Sequence, residues 1–184
     1  MRLLDVVAMR FGDRPVPAEL SALVAMSSAG DSPFDLTEIE FIDPERGHHL
    51  LDNSVRDSDR ANPDIMANVA AVDEVLRHCV FVASDDNNLY GYWLHPDEST
   101  EPPAIVCYSS EAQFSIAGGS LVEVWFGPDA FDDEEFARLF VDAGGAITAR
   151  SLGEFAKPAV VTSPADLHLR LYRAGRAKRD LPDF

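Results

Sequence analysis

At 184 residues the chain fits one domain, 1–184, and is long enough to bury a core without metal or disulfide staples. Apolar (46%) and charged (26%) contents near globular averages argue against global disorder. The 15 Lys+Arg against 32 Asp+Glu leave a formal charge of −17, which opposes nucleic-acid backbones and anionic membrane surfaces and favours basic partners.

An acidic excess also keeps a protein soluble, so charge alone does not choose between these readings. Cys79 and Cys107 both fall in apolar, strand-like runs, where a thiol behaves as a small buried hydrophobe, so no disulfide framework is implied. The N-terminus lacks a basic region followed by an apolar core, and no apolar run approaches bilayer-spanning length. The expectation is a reduced, cytoplasmic protein.

Leu3, Leu4, Val6 and Val7 fit a strand or a first helical turn, limited by Gly12 and Pro15. Pro17 opens a clearer helix with Leu20, Leu23 and Val24 on one face and Gly30 at its end. Glu38 to Ile42 alternates as a strand does, closed by Asp43-Pro44, and Glu45 to Asn62 is polar and reads as surface loop, the least ordered part. Pro63 and Asp64 then start an amphipathic helix carrying Ile65, Val69, Val72 and Leu76.

Cys79 to Ala83, Leu89 to Leu94 and Ala104 to Tyr108 are apolar, β-branched or aromatic runs separated by polar or Pro-containing connectors, the pattern of a meander. Asp85-Asp86-Asn87-Asn88 supplies the residue types that bond their own backbone in a tight reversal. In the second run Leu89, Gly91 and Trp93 share one face and Tyr90, Tyr92 and Leu94 the other, so either both faces are covered or one is exposed and aromatic. Gly91 marks a bulge or a close approach.

After Gly118-Gly119, Ser120 and Glu123 form a capping box for a helix with Leu121, Val124 and Trp125. Asp132 and Glu135 form a similar pairing before Phe136, Leu139 and Phe140, ended by Gly144-Gly145. Ser163-Pro164 and Asp166 start a last helix with Leu167, Leu171 and Ala174. From residue 170 onward, five Lys+Arg and two Asp give +3, whereas ten Lys+Arg and thirty Asp+Glu give the preceding residues −20. That tail could fold back on its acidic body. The class expected is α+β: one domain, a mainly antiparallel sheet of about four to six strands, helices on one face and at the edges, and residues 158–184 a helical, basic extension.

Chemistry has few footholds. His48-His49 with Asp52 is a poor metal set because adjacent side chains diverge, and neither cysteine adjoins a basic cluster or helix N-terminus. No G-x-S-x-G, H-E-x-x-H or Walker glycine loop occurs, and no cofactor or metal is expected. Asp85, Asp86, Asp97, Glu98, Glu101 and Glu111 crowd the connectors of one sheet region. Solvated turns, a partner-facing rim and paired catalytic carboxylates are all open readings. Among the aromatics, Tyr90, Tyr92, Trp93, Tyr108 and Trp125 are candidate anchors if partly exposed.

The segments FVASDDNNLYGYWL, PPAIVCYSS and IAGGSLVEVWF, with VPAELSALVAMSSAG before them, resemble the SMI1/KNR4 (SUKH) superfamily of bacterial immunity proteins. Residues Glu38 to Arg77 and those after Lys157 depart from that pattern. The resemblance implies a non-enzymatic module that occludes a cognate toxin domain, basic and often a nuclease. The contact residues expected are Asp85, Asp86, Asn87, Tyr90, Tyr92, Trp93, Asp97, Glu98, Glu101 and Glu111. An intracellular adaptor of the same family and a small carboxylate-dependent hydrolase are the alternatives, and the oligomeric state is open.

Overall fold

The computed structural model describes residues 2–28, 39–52, 55–147 and 158–182. Five antiparallel strands form one meander in the order β1 (Glu40–Phe41), β2 (Cys79–Ser84), β3 (Asn88–Trp93), β4 (Ile105–Ser109) and β5 (Phe114–Gly118). Among the described residues seven α-helices flank it: α1 (Leu3–Phe11), α2 (Ala18–Ser27), α3 (Asp57–Arg60), α4 (Pro63–Leu76), α5 (Leu121–Phe126), α6 (Glu134–Asp142) and α7 (Pro164–Ala177). The expected α+β class and antiparallel sheet are therefore present.

Helices cover both faces of the sheet, rather than one face and the edges, because the strands are apolar on both sides. Val80, Val82, Tyr92 and Ile105 pack with Val7 and Phe11 of α1, Leu20 and Leu23 of α2, Leu121 and Trp125 of α5, and Phe136 and Phe140 of α6. On the opposite face Cys79, Leu89, Trp93, Val106, Tyr108 and Phe114 meet Val72 and Val75 of α4 and Leu167 of α7. Each fully buried side chain of this size is worth roughly 1.5–3 kcal/mol, so neither layer is dispensable. The basic extension does fold back: α7 is part of the second layer.

Local chemistry sets most boundaries. The Leu3 run is a helix, with the Arg2 N–H donating to Asp5 (3.3 Å) and Gly12 ending it at φ 62°. Asn62 accepts from the N–H groups of Asp64 and Ile65, with Pro63 at the first helical position of α4. Ser120 Oγ accepts from Glu123 N–H (3.1 Å), whereas the Glu123 carboxylate reaches Gly119 N–H (3.0 Å), one residue before the reciprocal partner of a capping box. The cap of α6 is Asp133 rather than Asp132; its Oδ1 accepts from Glu135 and Phe136 N–H.

Two expectations change further. Within the polar stretch 45–62 the chain makes a 3-10 turn at His49–Leu51 and the short helix α3. Strand β5 was not expected, because Gly118-Gly119 reads as a turn from sequence alone. The helix end at Gly30 and the start of the first strand at Glu38 lie outside the described residues. Gly91 fulfils its expectation: a Cβ there would stand 2.2 Å from Val80 O and 2.5 Å from Phe81 Cα, beside the register shift between Phe81 and Ala83.

Candidate functional site

The meander sorts the candidate residues to opposite ends of the sheet. Asp85, Asp86 and Asn87 form the β2–β3 turn, and Glu111 lies in the β4–β5 turn beside it; Asn88 pairs with Ser109, and Ser110 N–H donates to Asn87 O (2.7 Å). Asp97, Glu98 and Glu101 occupy the β3–β4 connection at the other end. The six residues of β3 separate the two groups by about 17 Å. The ten residues thus form no single patch.

At the first end Asp85 is committed internally. Its Oδ1 accepts from Asn87 N–H (2.8 Å) and Asn88 N–H (2.7 Å), the Asn88 amide donates to both oxygens (3.0 Å each), and Tyr90 OH donates to Oδ2 (2.8 Å). Burial pushes the Asp85 pKa up, but the donations from Asn88, Asn87 and Tyr90 outweigh it and hold the carboxyl below its usual range. Burial, then the Asp85 hydrogen bond and charge, raise the Tyr90 phenol. Half-buried Tyr90 and Asp85 are thus turn-forming residues. Asp86, Asn87 and Glu111 are exposed.

Pairing of β1 with β2 sets Glu40 opposite Ser84 and leaves a groove of about 360 Å³ beside the turn. Glu40, Asp43, Arg46, His48, His49, Ser84, Asp85 and Asp86 line it among others. His48 Nδ1 accepts from Leu50 N–H (3.2 Å), and burial followed by the neighbouring His49 lowers its pKa. No group of three or more metal-ligating side chains converges among the described residues. The Glu40–His49 wall escaped the sequence reading because only strand pairing brings it to the acidic turn.

The other end is a latch. Trp93 Nε1 donates to Thr162 O (2.9 Å), Thr162 N–H donates to Glu98 Oε1 (2.7 Å) and Thr162 OH to Asp97 (3.3 Å). Arg14 donates to Glu98 O (2.6 Å). Glu98, Tyr92 and Trp93 are only 5%, 0% and 1% exposed, so their expected partner contact is corrected: they build the core and fasten the entry to α7. Asp97 and Glu101 stay exposed. Tyr108 and Trp125 are also buried, which leaves no exposed aromatic among the five considered.

Neither cysteine forms a disulfide among the described residues, and burial raises the Cys79 pKa, the wrong direction for a nucleophile. An exposed acidic run, of which the sequence analysis singles out only Asp132 and Glu135 and those only as a cap pairing, stands at Asp129, Asp132, Asp133, Glu134 and Glu135. No described helix is long and apolar enough to cross a membrane. Comparison with protein-family models, curated proteins and solved structures finds no match.

Proposed function

We propose that this chain is a non-enzymatic protein-binding module that engages a basic protein through the turn end of its sheet, acting as an immunity protein that occludes a toxin domain. The observation that carries the reading is the exposed pair of turns. Asp86 and Glu111 stand exposed on adjacent hairpins braced by Asp85 and by the Ser110–Asn87 hydrogen bond, so the backbone that presents the two carboxylates is fixed before binding. The toxin target rests on the SMI1/KNR4-like segments; the preference for a basic partner rests on charge.

The groove beside the turn favours one second reading, a carboxylate-dependent hydrolase. Against it, the carboxyl held deepest in that turn, Asp85, has its pKa moved down, opposite to what a general acid needs. Immobilised wild-type chain and the D86K/E111K variant, exposed to native lysate at 50 and 300 mM salt, test the binding reading. A basic protein retained by wild type and lost from the variant and at high salt supports binding. Identical retention by both removes the turn end from the account.

A further inference from the structure

Helix α7 carries a cationic face that the acidic body does not use. Arg170 and Arg173 lie on its outward side, followed by Lys178 just past its end, and all three are exposed. Arg170, Arg173 and Lys178 form no ion pair among the described residues, whereas the Arg179 guanidinium turns towards α4, donating to Gly175 O (2.9 Å) where Ala67 packs. Between the charges stand the small, exposed Ala174 and Ala177, which let another backbone come close.

The opposite face of α7 is fixed. Leu167 enters the core, His168 bonds Asn68 (3.0 Å), Tyr172 OH donates to Asp64 (2.9 Å), and buried Arg176 pairs with Asp64 and donates to Pro182 O (2.7 Å). The cations are therefore presented by a docked helix. From the Thr162 latch α7 runs back along α4 to Asp64, so its basic end lies towards the end of the sheet that bears the β2–β3 and β4–β5 turns.

We infer that this face is a second contact surface, for a short acidic protein segment, independent of the basic partner assigned to the turns. Length and charge select the occupant. From Arg170 to Lys178 the strip extends about 12 Å along the helix, with Asp166 and Asp180 at its ends. Duplex nucleic acid, with a charge every ~1.7 Å, and an anionic bilayer both run past the strip and meet a body of net charge −20. A second copy brings its own −17. A segment with three carboxylates matches the strip and ends before the repulsion begins.

The probe is a labelled six-residue peptide carrying three Glu alternating with Ala, titrated with the full chain and read by fluorescence anisotropy. Saturable binding is expected, weakened at least tenfold between 50 and 300 mM salt and at least tenfold by R170E/R173E. K178E serves as a second variant should the first lose its far-UV CD signal. No saturable binding, or binding indifferent to both variants, overturns the inference. Tighter binding of a 12-base-pair duplex or of phosphatidylserine vesicles overturns it in favour of a polyanion. Sedimentation of the chain alone as a dimer that R170E/R173E dissolves assigns the face to a second copy instead.

Discussion

Asp85 and Asp86 are neighbours of the same type with opposite roles. Asp85 accepts from two backbone N–H groups, the Asn88 amide and Tyr90 OH, whereas Asp86 is exposed. Removing a charged acceptor with several donors costs about 2 kcal/mol, and exposed charges little. Urea unfolding should therefore show D85A destabilised by about 2 kcal/mol and D86K within about 0.5 kcal/mol of wild type. Because the folded Asp85 pKa is depressed, its contribution is complete above the ordinary carboxylate value of 3.8 and is lost as pH falls through the lower folded value. D85N should flatten that acid limb; an unchanged limb would mean that Asp85 is not the group responsible. Gly91 is the other decisive residue. G91A must move the backbone of β2, so loss of the folded CD signal, or destabilisation by more than about 3 kcal/mol, is expected from equilibrium unfolding.

At the scale of elements, the latch makes α7 depend on the β3–β4 connection. Thr162 N–H donates to the buried Glu98 carboxylate, so hydrogen exchange should show this amide losing protection in E98A and keeping it in E98Q, which retains an acceptor. Equal protection in both variants would place the anchor elsewhere. Strands β2 to β4 and helices α4 to α7 were legible because their apolar periods are long enough to be unambiguous. Strand β5 was not: Phe114–Gly118 is as long as β4 but lacks its unbroken apolar run, and its final Gly imitates a turn until pairing with β4 is known. The same limit governs the site. Sequence adjacency collects Asp85 through Glu111 into one acidic patch, but a meander sends alternate connectors to opposite ends. It also cannot show that a Tyr90 hydroxyl five residues on will consume Asp85, because the β2–β3 register with its bulge decides that contact.

For the whole molecule, charge is segregated rather than merely abundant. A body of −20 carries the exposed turn carboxylates, and a +3 tail is folded against it through Leu171, Tyr172 and the buried Arg176 that pairs with Asp64, while Arg170, Arg173 and Lys178 face outward. Such a distribution acts chiefly on encounter, since the field guides approach while short-range contacts set the lifetime of a complex. The central claim, that the turn end receives a basic protein, is tested most directly by the association rate of the captured partner with wild type and with D86K/E111K at 50 and 300 mM salt. The account predicts an association rate about tenfold slower in the variant and about tenfold slower at high salt, with the dissociation rate and folding stability nearly unchanged. An association rate indifferent to both the variant and salt would contradict it.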